Sequence, residues 1–99
     1  MLIVLGEIIA LDSHREAILA SSLEHVARSR QEPGCLSHEV STDPANPNRL
    51  LFAERWRDKE ALADHFALPA SQAFVGSLKG RIAAPPELTV YDANEISIA

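Results

Sequence analysis

Between Arg49 and Phe66 the chain sets a carboxylate, an indole and an imidazole within a short span: Glu54, Trp56 and His65. An imidazole changes charge near neutral pH and can accept or relay a proton. His65 is therefore a candidate base; the alternative is a partly buried histidine bonded to a backbone carbonyl or to Glu54. Trp56 offers a flat apolar surface with one N–H donor, which suits either an aromatic ligand or a core position. Glu54 points to the same side as Trp56, and a carboxylate on an apolar face needs a partner or its pKa rises. It can orient His65, or it can pair with an arginine or a second copy of the chain.

The elements that must hold these groups follow from periodicity. Leu50, Phe52, Glu54 and Trp56 alternate with Leu51, Ala53 and Arg55, which predicts a strand from Leu50 to Trp56. Asp58 suits an N-cap, and Ala61, Leu62, His65 and Phe66 then recur at helical spacing. A strand ending in Trp and feeding a helix with an inward histidine builds the wall of a small pocket.

The remaining chain supplies the rest of one domain, residues 1–99. Residues 2 to 11 form a strand that is apolar on both faces apart from Glu7. Ser13 and Glu16 fit a capping box, and the following helix carries Leu19, Leu23, Val26 and Ala27 as its stripe until Pro33-Gly34. His14 and His25 fall on its solvent side. Residues 35 to 42 alternate as a strand, with Leu36, His38 and Val40 on one face. A longish loop across residues 43 to 48 joins it to the next strand as a hairpin. Pro69 opens a second helical piece on which Phe74, Ser77 and Leu78 share a face. Pro85-Pro86 precedes a last strand, about Leu88 to Glu95. The order strand, helix, strand, strand, helix in two pieces, strand is that of an α+β, ferredoxin-like four-stranded antiparallel sheet with helices on one face.

Helices can cover only one side of such a sheet. An apolar second side is costly in water, and packing it against the same side of another copy removes that cost. A homodimer with two sheets face to face is the expectation. The net charge of −5, and the interleaving of Arg55, Arg57 and Lys59 with Glu54, Asp58 and Glu60, argue against nucleic-acid binding. The apolar opening carries Glu7 and is too short to span a bilayer, so no membrane association is expected. The single Cys35 cannot form an internal disulfide and fits a cytoplasmic protein; beside Gly34 it reads as a small buried residue. Gly-rich phosphate loops, paired cysteines, His-Glu-x-x-His and Gly-x-Ser-x-Gly do not occur, so no nucleotide, flavin or zinc cofactor is expected. Four histidines without helical pairing are weak evidence for a metal.

One set of residues carries a family resemblance. Glu32-Pro-Gly-Cys-Leu36, Asp43-Pro, Asn46-Pro-Asn-Arg49, Glu54-Arg-Trp56, Ala61-Leu62, His65 and Pro69 with Phe74 resemble the antibiotic biosynthesis monooxygenase family, from about residue 2 to residue 95. The resemblance implies a dimeric α+β barrel. It also implies oxygenation of a phenol, quinol or anthrone by O2 without metal, haem or flavin. His65 would be the base or proton relay, Trp56 the pocket wall and N–H donor, and Glu54 the group that positions one of them. His38, Phe52, Phe66 and Phe74 would contact a small aromatic substrate. Many members place a histidine after the proline that opens the second helical piece; here Ala70 follows Pro69, and His38 stands where an aromatic residue is common. The haem-degrading relatives carry a ligating histidine on that piece, where this chain has Phe74, Val75 and Ser77. A non-catalytic, stress-associated small-molecule binder and a cofactor-free isomerase are the alternatives on the same fold.

Overall fold

The computed structural model describes residues 1–98. Strand β1 (Leu2–Ile9) leads through a short 3-10 turn (Asp12–His14) into helix α1 (Arg15–Ser29). Strands β2 (Cys35–Asp43) and β3 (Asn46–Trp56) follow, then α2 (Lys59–Ala67), α3 (Pro69–Ser77) and β4 (Glu87–Asp92). The sheet is antiparallel with order β2-β3-β1-β4, and the helices lie on one side, so the α+β ferredoxin-like architecture stands. Among the described residues no helix is long and apolar enough to cross a membrane.

The period-two pattern of β3 survives intact. Leu50, Phe52, Glu54 and Trp56 are buried beneath the helices, and Ala53 and Arg55 face away. Asp58 is the N-cap of α2, its Oδ1 accepting the Ala61 N–H at 2.9 Å. Pro69 occupies the first turn of α3, where its missing N–H costs nothing.

Four local expectations are corrected. The hairpin between β2 and β3 is tight: Asp43 pairs with Asn46 across Pro44-Ala45. Asx contacts close it, Asp43 Oδ1 accepting from Ala45 N and Asn46 Oδ1 from Asn48 N, and Pro47 lies before the β1 ladder begins at Arg49. The Ser13–Glu16 capping box does not form, because the 3-10 turn makes His14 the N-cap of α1. Helix α1 buries Ile18, Ser22, His25, Val26 and Ser29, while Leu23 is half exposed. Leu19 and Val26 of the expected stripe do pack inward, whereas Leu23 and Ala27 are exposed; Ser22 and Ser29 are small enough to sit close against the sheet, Ser29 Oγ donating to the His25 carbonyl at 2.8 Å. The last strand ends at Asp92, and Ile96 and Ile98 extend into solvent.

Two apolar groups fill the layer between helices and sheet. Ile8, Ile18, Leu50, Phe52, Phe74 and Leu78 form one. Leu2, Val4, Trp56, Ala61 and Leu62 form the other. On the far side of the sheet Leu5 and Tyr91 are about half exposed, and Ile3, Ile9 and Leu51 are partly so. The same face carries an ion network in which Arg49 reaches Glu7 at 2.9 Å and Asp43 at 3.1 Å. A hollow of about 490 Å³ lies across this bare face.

The turn after α1 is held in place by Gly34. Its φ is +82°, and a Cβ there would lie 2.5 Å from the Ala61 Cβ. Both the left-handed backbone and the overlap penalise a side chain. Gly34→Ala is expected to destabilise the fold by roughly 2–3 kcal/mol, read as a lower urea midpoint at unchanged m-value. An unchanged midpoint would show that the turn can move away from α2.

Candidate functional site

The site lies where the two apolar groups meet. From α1 comes His25, from β2 His38 and from α2 His65, all buried. Their ring centroids are 5.2 to 5.7 Å apart. Each is fixed by a different neighbour. His25 stacks on Phe74 with centroids 4.3 Å apart and planes at 10°. His65 lies 4.6 Å from the Trp56 ring, and His38 stands opposite Glu54 in the β2–β3 register. Arg30 secures the β2 strand there by donating from Nε to the His38 carbonyl at 2.9 Å.

These rings form one wall of a cavity of about 290 Å³ between the sheet and the helices. Phe52, Phe74 and Leu78 line its interior, Glu54 and Ser71 add polar atoms, and Phe66, Val75 and Leu88 stand at its exposed lip. Of the residues expected to touch a substrate, His38, Phe52 and Phe74 are buried in the lining. Phe66 is 42% exposed, so it is a lip residue rather than part of the floor.

Of its two expected partners Glu54 meets Trp56, while His65 is held by a carboxylate the sequence reading did not single out. The orienter of His65 is Glu32, in the turn after α1, whose Oε1 lies 2.8 Å from His65 Nδ1. Glu54 instead takes the Trp56 N–H on Oε1 at 2.9 Å and brings Oε2 to 3.5 Å from His38 Nε2. Trp56 is fully buried behind this wall against Leu2, Val4, Ala61 and Leu62, and its donor is committed to Glu54. It therefore acts here by holding Glu54, not as an open wall with a free N–H. Pro33 and Gly34 shape the turn that brings Glu32 back to α2, which no local pattern announces.

Burial sets the electrostatics. It pushes His25 down to about 4 and His38 down to about 3, the neighbouring imidazoles adding to both shifts. Burial raises Glu54, and the Trp56 hydrogen bond opposes that rise. At 3.5 Å the Glu54–His38 approach is too long for a hydrogen bond, and both ring nitrogens of buried His38 lack a partner among the described residues. Cys35 is raised by burial first and by the nearby carboxylates, which suits an inert thiol.

His25 overturns its expected place. The sequence places it on the solvent side of α1, yet it is 7% exposed and central to the site. The only hint in the sequence was the spacing of Ile18, Ser22, His25 and Ser29 along one helical face.

Chemically the arrangement offers a carboxylate-held imidazole, two further neutral imidazoles and an apolar chamber with a partly open mouth. His65 with Nδ1 on Glu32 keeps Nε2 as its second proton-handling nitrogen.

Comparisons with known proteins agree with this architecture. Residues 1–77 match the family described as antibiotic biosynthesis monooxygenase. The chain is 34% identical over 94 residues to an uncharacterized protein of Synechocystis sp., covering 95% of this chain and 64% of that protein's length. A crystal structure of a candidate antibiotic biosynthesis monooxygenase from Deinococcus radiodurans superposes with a TM-score of 0.93 at 31% identity, covering 100% of this chain and 99% of its own. A Mycobacterium tuberculosis protein shares the fold, with a TM-score of 0.89 at 21% identity and 98% of each chain covered. By the match over most of its length and by its fold, the chain belongs to the antibiotic biosynthesis monooxygenase family.

Proposed function

We propose that the protein is a cofactor-independent monooxygenase of a small aromatic quinol, phenol or anthrone. The observation that carries this reading is the Glu32–His65 pair set into the wall of an apolar cavity. A volume of about 290 Å³ is near the lower end of the ~300–1,000 Å³ typical of small-molecule sites, which favours a compact aromatic of up to three rings over a more extended polycycle.

In this reading the substrate lies along Phe52 and Phe74, and His65 Nε2 takes its phenolic or activated C–H proton. The resulting anion gives one electron to O2, and the two radicals recombine to a peroxide. For an anthrone CH2 group, return of the proton and loss of water leave the ketone, so one O2 is consumed per carbonyl formed and one water released. The protein need supply only the base, fixed dipoles for the anion and a dry chamber. Trp56 holds Glu54 beside His38, and the unpartnered His38 ring is free to donate toward the anion. Lone Cys35 fits a reducing cytoplasm.

The test is oxygen uptake by the purified, chelator-treated protein with a panel of quinols and anthrones. The expected result is saturable uptake with one oxygen atom of labelled O2 in the product. Thermal stabilisation by these compounds with no uptake would favour the binding-protein reading instead, and turnover under argon would favour an isomerase.

The working form is proposed to be a homodimer joined through the bare sheet face around Leu5, Leu51 and Tyr91. Leu5→Lys places a charge in that seam, and a single subunit in sedimentation at micromolar concentration is the expected result. A variant that sediments like the parent would place the seam elsewhere.

A further inference from the structure

We propose that His25, His38 and His65 form a binding site for a divalent transition-metal ion of the Zn²⁺ type. One ligand atom from each lies within 4.8 Å of the others, and all three residues are buried. They come from α1, β2 and α2, three packed elements, so the cluster is held by the fold rather than by a loop. His38 makes the case independent of proximity alone. It is 1% exposed, and neither ring nitrogen has a hydrogen-bond partner among the described residues. A buried polar ring without partners calls for an explanation, and a bound ion supplies one. A ring nitrogen within 4.8 Å of ligand atoms on two other imidazoles is what a metal ion would satisfy.

The surroundings match the demands of such a site. Metal-bound histidines usually pass their other ring N–H to a carboxylate, and Glu32 sits 2.8 Å from His65 Nδ1 in that position. Phe74 stacked on His25 fixes that ring's plane. Three nitrogen donors with an open fourth position are the ligand pattern of Zn²⁺ sites that keep an exchangeable water, and the adjoining cavity gives the fourth position access. Metal–nitrogen bonds of about 2.0–2.1 Å require donors about 3.3 Å apart, so the rings must draw in modestly on binding. All-nitrogen donors select Zn²⁺, Co²⁺, Ni²⁺ or Cu²⁺ over Mg²⁺ and Ca²⁺, which want oxygen.

This goes beyond the oxygenase reading and competes with it for one atom: a metal on His65 Nε2 removes the base. The two occupancies exclude each other, so metal is expected to inhibit quinol oxidation.

The test uses the full chain, stripped with chelator and titrated with Co²⁺ or Zn²⁺ alone. One ion per chain is expected, with visible Co²⁺ bands of tetrahedral or five-coordinate strength and no heat with Mg²⁺. His38→Ala and His25→Gln should each weaken binding at least 100-fold with unchanged circular dichroism, while His14→Ala leaves it unchanged. Absence of saturable binding at micromolar Co²⁺, or affinity indifferent to His38→Ala, would overturn the proposal. Because the readout is the Co²⁺ spectrum, a protein with no oxygenase turnover can still pass, and one that oxidises quinols can still fail.

Discussion

On the proposed oxygenase reading, His65→Ala is expected to lower kcat/KM for quinol oxidation by about 10²–10⁴-fold, the usual contribution of a general base, and to leave affinity for an unreactive substrate analogue within a few-fold. The asymmetry follows from geometry. His65 is one of several residues of a mostly apolar wall, so removing it subtracts little binding. It is also the imidazole with a carboxylate on its far nitrogen, so removing it takes away the group that is both oriented and able to cycle a proton. Glu32→Gln separates orientation from proton transfer. It keeps an acceptor oxygen near Nδ1 but loses the charge that stabilises the imidazolium, and it should cost about 10-fold or more in kcat with little change in KM. Glu54→Gln keeps an acceptor for the Trp56 N–H and should cost less than Glu32→Gln. Measured in chelator, a His65→Ala protein with more than a tenth of the parent rate would remove His65 from the reaction. A larger loss for Glu54→Gln than for Glu32→Gln would return the orienting role to Glu54.

Acid is expected to unfold the metal-free protein steeply. His25 and His38 titrate near 6.5 in an unfolded chain but at about 4 and about 3 in the folded one. Between those values the unfolded state binds protons that the native state refuses, so stability rises with pH there. The contribution is fully present above about pH 6.5 and drains away as pH falls, down to about 4 for His25 and about 3 for His38. Two fully linked imidazoles set a slope of at most about 2.7 kcal/mol per pH unit. Glu54 works in the opposite sense, because its raised pKa lets the native state take a proton before the unfolded chain does, and so reduces the slope. A domain of this size is stable by only about 5–15 kcal/mol, so a fall of two pH units removes a large part of it. Urea midpoints at fixed protein concentration and in chelator should drop sharply from pH 7 to pH 5. His38→Leu replaces a neutral buried ring by an apolar group with nothing to protonate, and it should cut the slope to roughly half. Parallel pH profiles for parent and variant would show that these rings are not buried neutral.

Both predictions hang on contacts that join distant parts of the chain. What the sequence could settle alone was whatever depends on neighbours a few residues away. The alternation from Leu50 to Trp56, the change of period after Asp58 and the proline at the start of α3 each bias the backbone locally, and together they specified the order of elements and the sheet they form. His65 was legible as a site residue for the same reason, being the polar member of an otherwise apolar helical face. His25 was not, because Ser22 and Ser29 flank it, and small polar residues look like surface until a sheet is known to press closely against them. Glu32 was beyond reach in a stronger sense: its partner lies 33 residues further on, and only the close approach of the Gly34 turn to Ala61 brings the two together. The assembly of three imidazoles from α1, β2 and α2 is likewise a product of packing. Local pattern determines which face a side chain leaves from; what it meets there is decided by how the layers close.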